Sequence, residues 1–228
     1  MTTRDAETLT EHPPPRLLMS YEEYLAWADE DVHAEWVDGE VILAMPPLDT
    51  HQTLLNFINR LLAEYVEFEG LGVVFIAPFE MRLPQQKAAR QPDILVITNQ
   101  NLPRLSQERL EGPADLVVEL ISKDSVRRDR QDKFQEYQAA GVREYWVIDS
   151  RPGRDRADFY RLDANGQYTL FGTEDDEWVE SSVLPGFRVR PAWFSMKSKP
   201  QVRMAFMEGL SPDQRERYRQ LLFGSDSQ

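Results

Sequence analysis

Gln91-Pro92-Asp93-Ile94-Leu95-Val96-Ile97 and Asp115-Leu116-Val117-Val118-Glu119-Leu120-Ile121 are two short runs in which acidic residues stand among apolar ones. Their length and their β-branched content predict strands. Alternate residues of a strand share a face, so Asp93 aligns with Leu95 and Ile97, and Glu119 with Val117 and Ile121. An uncompensated carboxylate on a buried face costs several kcal/mol, roughly, unless a cation or hydrogen bonds answer it. Two such carboxylates on neighbouring strands make a candidate site for a divalent cation.

Outward from these runs the chain alternates helices and strands. Asp38-Gly39 between Ala34–Val37 and Glu40–Met45 predicts a hairpin with a two-residue turn, and Pro46-Pro47 ends its second strand. Ser20 with Glu23 fits a capping box opening a short helix through about Trp27. Leu54, Leu55, Ile58, Leu61, Leu62 and Tyr65 recur at helical spacing, predicting an amphipathic helix over 49–69 closed by Gly70. Val73 to Leu83 reads as one strand, 129–140 as a helix ended by Gly141, and Val142 to Asp149 as another strand. Strand-like pieces follow at 158–162, 167–171, 177–181 and 187–189, with Asn165-Gly166 as a further hairpin turn. Ser211-Pro212-Asp213-Gln214 caps a charged helix over 212–222. The pattern predicts an α/β fold, a mixed β-sheet flanked by helices with extra C-terminal β-strands. It also predicts a disordered tail at 1–16, one domain at 17–195 and a C-terminal extension with a short helix at 196–228.

Composition narrows the function classes. A chain of 228 residues, 41% hydrophobic and 29% charged, is long enough for one well-formed core. It has no cysteine, which excludes disulfides, thiolate zinc sites and cysteine nucleophiles. Met1 to Pro15 is polar and proline-rich, so neither a signal peptide nor a membrane span is expected and a cytoplasmic location is the default. The net charge of −13 argues against a nucleic-acid partner, because phosphate-tracking proteins usually carry a basic face. The basic residues are nevertheless grouped, at Arg127, Arg128, Arg130 and Lys133 and again at Arg151, Arg154 and Arg156.

The helix after Glu119 carries Asp129, Lys133, Phe134 and Tyr137. Phe134 and Tyr137 mark its buried side, which sets Lys133 at the edge of the sheet-facing surface. Two carboxylates, a lysine and a hard cation suit phosphodiester hydrolysis. Mg²⁺ prefers oxygen ligands and keeps several waters, and a lysine stabilises an attacking hydroxide or the developing charge.

Several separated motifs resemble one family. They are Glu35-Trp36-Val37-Asp38-Gly39-Glu40-Val41, His51 after a proline-containing turn, Pro92-Asp93, and Val118-Glu119-Leu120-Ile121-Ser122. Asp129, Lys133 and Gly141-Val142-Arg143-Glu144-Tyr145-Trp146-Val147-Ile148-Asp149 complete the set. In this order, over about 18–195, they resemble the Uma-two family, restriction-endonuclease-like proteins of the PD-(D/E)xK nuclease superfamily. The resemblance implies a metal-dependent DNA endonuclease using Mg²⁺ or Mn²⁺, with Asp93, Glu119 and the backbone carbonyl of Leu120 at the metal. The superfamily pattern places lysine two residues after the second acid, where this chain has Ile121. The resemblance implies that Lys133 replaces it from the following helix. Family members tend to have Ser-Pro where this chain has Ser122-Lys123. Glu35 joins Asp93, Glu119 and Lys133 as a candidate catalytic residue, either behind the metal ligands or at a second metal; His51 and Asp129 are further site-lining positions, and a homodimer is implied by analogy with nucleases that cut both strands.

Each residue also has an ordinary reading. Asp93 follows a proline at a strand start, a common place for a turn-forming aspartate. Glu119 suits a buried ion pair. Lys133 stands four residues after Asp129, the spacing of a surface pair worth about 0.2–0.5 kcal/mol. His51 suits a helix cap, and Glu35 a cross-strand partner. Two other functions stay open at this level: a catalytically silent nuclease fold serving as a binding or scaffold module, and a hydrolase acting on another phosphoester. Asp93 and Glu119 side chains too far apart to share one metal would count against the site.

Overall fold

The computed structural model describes residues 17–28, 32–43, 48–123, 125–149 and 151–224. The tail expected at 1–16 and the strand end expected at Ala44–Pro47 lie outside the described residues. Helix α1 (Tyr21–Trp27) opens on the expected capping box, with Ser20 and Glu23 each accepting from the other's backbone N–H. Strand β1 (Leu17–Leu18) precedes it, and β2 (Ala34–Val37) and β3 (Glu40–Leu43) form the hairpin. Its turn residues Asp38 and Gly39 have φ of 44° and 90°, the left-handed pair that a two-residue hairpin turn requires.

Helix α2 (Asp49–Phe68) buries Leu54, Leu55, Phe57, Ile58, Leu61, Leu62, Tyr65 and Val66. Full burial of one such apolar side chain contributes about 1.5–3 kcal/mol, so this stripe anchors the helix to the sheet beneath it. The single strand expected at Val73–Leu83 is instead two, β4 (Gly72–Ile76) and β5 (Glu80–Leu83), which belong to different sheets. Pro78 lies at the break; with no N–H it cannot continue a hydrogen-bonded ladder. This split lets the chain pass from one sheet to the other beside the acidic strands.

Strands β6 (Ala88–Arg90), β7 (Ile94–Thr98), β8 (Arg109–Glu111), β9 (Leu116–Leu120), β10 (Glu144–Asp149), β11 (Arg156–Leu162) and β12 (Tyr168–Thr173) follow. The central sheet has the order β12-β11-β10-β9-β7-β4 and is mixed, since only β9 and β10 pair in parallel. A second six-stranded sheet has the order β1-β3-β2-β6-β5-β8, so the mixed α/β architecture uses two large sheets. Helix α3 (Lys133–Ala140) links β9 to β10 and ends at Gly141, whose φ of 90° forms the left-handed cap.

Residue parity on β7 and β9 sorts the core. Ile94, Val96, Leu116, Val118 and Leu120 pack on the side of α2. Leu95, Ile97, Val117 and Ile121 pack on the opposite side with Tyr137, Val142 and Tyr145. The expected pairing of Glu119 with Val117 and Ile121 therefore places its carboxylate between the central sheet, α3 and the second sheet.

Strands β13 (Val179–Glu180) and β14 (Arg188–Val189) form a small ribbon. Helix α4 (Val202–Gly209), unmarked in the sequence reading, sends Ala205 and Phe206 into the α2-side core. Helix α5 (Pro212–Phe223) begins on a second capping box at Ser211 and Gln214. Gln214 also donates to the Tyr65 hydroxyl at 2.7 Å, which ties α5 back to α2. Among the described residues no helix is long and apolar enough to cross a membrane.

Candidate functional site

Asp93 and Glu119 come together through strand register. Ile94 stands opposite Val118 in the antiparallel β7–β9 pair, so Asp93 falls opposite Glu119 on the same face. Directly opposed residues have Cβ atoms about 4.5–5.5 Å apart. Oδ2 of Asp93 accepts from the Leu120 backbone N–H at 2.7 Å, which holds its carboxylate against the end of β9. Nε2 of His51, in the first turn of α2, stands 3.4 Å from the same oxygen. Burial pushes the His51 imidazole toward neutrality, but the Asp93 carboxylate outweighs it and holds the pKa above its ordinary value.

Lys133 lies inside the protein and not at the edge expected for it. It is 4% exposed, and its ammonium stands 2.8 Å from Glu119 Oε1 and 3.0 Å from Glu35 Oε1. Asp129, the partner in the surface-pair reading, is 3.7 Å away and itself 1% exposed. A π-helical turn (Arg128–Asp132) precedes α3, and Asp129, Lys133 and Tyr137 follow at one-turn spacing on the face that meets the sheet. Tyr137 completes the stripe by donating to Glu119 Oε1 at 2.9 Å.

Glu35 reaches the cluster from β2 in the other sheet. Its Oε2 accepts from Arg90 at 2.9 Å and its Oε1 from the Gln91 N–H at 3.1 Å. Arg90, 1% exposed on β6, also makes a bidentate pair with Glu136 of α3 at 2.8 and 2.6 Å. Such forked pairs fix geometry as well as charge. Arg90, Tyr137 and Glu136 were not among the sequence-derived site residues; the signal for the first was an arginine inside the apolar Ala88-Ala89-Arg90 run.

The electrostatic balance of the cluster is lopsided. Glu35, Glu119 and Asp129 face Lys133, while Arg90 is shared between Glu35 and Glu136. Against burial, which disfavours its charge, Lys133 and Arg90 hold the Glu35 carboxyl down at about 2. Glu119 goes the other way: burial dominates, Lys133 offsets only part of it, and Asp129, Asp93 and Glu35 add repulsion, so its pKa rises to about 8. Asp129 is raised by burial as well. Lys133 stays firmly protonated despite burial, because three carboxylates surround it. One ammonium is thus spread over three carboxylates, and burial with its acidic neighbours pushes Glu119 toward its protonated form.

Among the described residues two buried atoms here, Asp129 Oδ1 and His51 Nδ1, lack a hydrogen-bond partner. Surplus negative charge, oxygen donors and unpaired polar atoms form a donor set of the kind a hard divalent cation takes. Among the described residues no three His, Asp or Glu side chains converge as ligands of one ion.

The sequence model of the Uma2 family, described as "Putative restriction endonuclease", matches residues 21–193. A crystal structure from Anabaena variabilis, described as a putative nuclease belonging to DUF820, superposes with a TM-score of 0.61 at 16% identity. The superposition covers 84% of this chain and 99% of that one, and at such identity it speaks to the fold. Compared with curated proteins, the chain finds no match.

Proposed function

Given that the chain belongs to the Uma2 (Uma-two) family of restriction-endonuclease-like proteins, we propose that it is a metal-dependent DNA endonuclease. The observation that carries this reading is the convergence of Asp93, Glu119 and Lys133, from two strands and a helix, on one face of the central sheet. Asp93, Glu119 and the Leu120 carbonyl would hold Mg²⁺ or Mn²⁺, which supplies Lewis-acid polarisation of the phosphate and a bound water of lowered pKa.

The chain's own residues do the rest. Lys133 presents a permanent positive charge where the attacking oxygen and the developing phosphorane charge must be stabilised. Glu35, anchored by Arg90 and the Gln91 N–H, positions the Lys133 ammonium beside Glu119. His51 and the Leu120 N–H orient Asp93. Tyr137, donating to Glu119 Oε1, fixes the carboxyl plane.

Plasmid nicking with Mn²⁺, comparing the wild type with Asp93→Ala and Lys133→Ala, tests the proposal. Loss of either group should slow nicking by about 10²–10³. Equal cleavage by all three proteins would sink the assignment.

A second reading, a silent nuclease fold that serves as a binding module, draws on the closure of the cluster by Lys133 and on the net charge of −13. Thermal unfolding separates the two. A ligand at 100 times its Kd stabilises by about 2.7 kcal/mol, so Mg²⁺ should raise the melting temperature of the wild type but not of Asp93→Ala. No shift in either protein favours the silent fold.

A further inference from the structure

A cavity of about 350 Å³ opens beside the carboxylate cluster, walled by Arg130, Arg151, Arg154 and Arg156. We propose that it is a phosphate-binding site that takes a backbone phosphate of a polynucleotide lying across the sheet edge. The polynucleotide source rests on the endonuclease reading, whereas the phosphate chemistry stands on the cavity itself.

The position comes from strand register. Ile148 of β10 stands opposite Leu120 of β9, and the Ile121 N–H donates to the Ile148 carbonyl at 2.8 Å. Asp149 therefore ends β10 next to the end of the Glu119 strand, and Arg156 opens β11 opposite Asp149. With strands about 4.7–4.9 Å apart, the cavity begins one to two strands from the carboxylates, at the same end of the sheet. Arg130 follows Asp129 directly, so the π-helical turn contributes one residue to each place.

The charge of the cavity differs from that of the chain. Arg151 is held by Asp149 at 2.8 Å, and Arg156 by Asp158 at 2.9 Å. Arg130 also pairs with Asp158, yet its Nη2 is buried with no hydrogen-bond partner. Glu174, the other acid in the wall, accepts from the Ala157 N–H at 3.2 Å. Arg154 makes no ion pair among the described residues. Among the described residues the wall thus keeps one guanidinium unpaired and a second donor idle, in a protein whose net charge is −13. Guanidinium forks match phosphate oxygens two at a time, and their neighbours here are already fixed by carboxylates.

The lining also discriminates between phosphate sources. Among the described residues Val126 is the only apolar side chain in the wall, and no aromatic ring borders the cavity. A free nucleotide would find no aromatic ring on which to stack its base, a contact worth about 1–3 kcal/mol per base where it occurs. A backbone phosphate needs only the guanidinium groups.

The test uses the full chain in EDTA, so that no cleavage intervenes. Binding of a fluorescent DNA duplex is followed against salt for the wild type, Arg154→Ala and Arg154→Glu. Arg219→Ala, on an exposed face of α5, is the control. Binding of inorganic phosphate and of a 5′-mononucleotide is measured on the same proteins. Loss of one phosphate contact should lower the slope of log affinity against log salt by about 0.9 and weaken DNA binding several-fold. Arg154→Glu should weaken it further and Arg219→Ala should leave it unchanged. If the Arg154 variants change phosphate binding while DNA binding is untouched, the polynucleotide source is overturned. If neither ligand responds, the phosphate site is overturned. Wild-type protein that fails to nick plasmid but keeps the Arg154 effect would defeat the nuclease reading alone. Normal nicking with no Arg154 effect would defeat the phosphate site alone.

Discussion

Strand β9 has a buried carboxylate at each end, and the two are supplied with donors very differently. Asp115, just before the strand, accepts from the Thr98 N–H at 2.7 Å, the Thr98 hydroxyl at 2.8 Å and the Asn101 amide at 2.6 Å. Arg143 adds two further hydrogen bonds at 3.0 and 2.7 Å. Glu119, near the other end, shares Lys133 with Glu35 and Asp129 and is left above its ordinary pKa by burial and its acidic neighbours. Both carboxylates are nearly inaccessible, at 2% and 3% exposure. Burial of an acid is thus a poor mark of function by itself. A buried acid whose donors match its lone pairs is a fastener, while a group of acids short of positive charge is a place where a cation or a proton must enter.

The comparison breaks most visibly in activity. Glu119→Ala should slow Mn²⁺-dependent nicking by about 10²–10³, as loss of a charge-organising group does. Asp115→Asn should stay within a few-fold of wild type in the same plasmid assay. Comparable losses in both would remove the distinction between the two ends.

The next effect is on the pH dependence of folding in EDTA. Glu119 has its folded pKa raised from 4.5 to about 8, so its contribution is fully present below 4.5 and is lost as pH rises to about 8. Glu35 has the opposite sign: its pKa is lowered from 4.5 to about 2, so its contribution is present above 4.5 and is lost as pH falls through about 2. One proton of linkage changes stability by up to about 1.4 kcal/mol per pH unit. Urea unfolding from pH 5 to 9 should therefore show declining stability in the wild type and a flatter profile in Glu119→Gln. Parallel profiles would mean that Glu119 is ionised throughout and adequately paired.

Smaller differences belong to the Asp115 end. Asp115→Ala leaves buried donors without an acceptor and should lower the unfolding free energy by about 1–3 kcal/mol, read from the urea midpoint. Arg143→Ala should cost only about 0.5–1.5 kcal/mol, because the Arg143 side chain is half exposed and the Thr98 and Asn101 donors remain. A larger loss from Arg143→Ala would show that Asp115 depends on charge more than on the number of its hydrogen bonds.

Much of the scaffold around these sites was legible before any coordinates. Asp38-Gly39, Ser20 with Glu23, the stripe from Leu54 to Tyr65 and Gly141 each act within one turn or one hairpin, and each appears where expected. The strand expected at Val73–Leu83 divided between two sheets, because an apolar run does not state which neighbour it pairs with. Helix α4 and strands β6 and β8 escaped notice for a related reason: they are short and owe their form to the layers that cover them.

In the candidate site the division follows the range of the forces. By itself the sequence determined that Asp93 and Glu119 stand on one face of their strands, since side-chain alternation is a matter of local covalent geometry. It also set Lys133 one helical turn from both Asp129 and Tyr137. Only the tertiary structure decided that Lys133 turns inward to Glu119 and Glu35, and that Arg90 is the arginine behind Glu35. It alone separated the satisfied Asp115 from the crowded Glu119. Charge balance inside a protein is summed over groups brought together from distant parts of the chain, and no local pattern contains that sum.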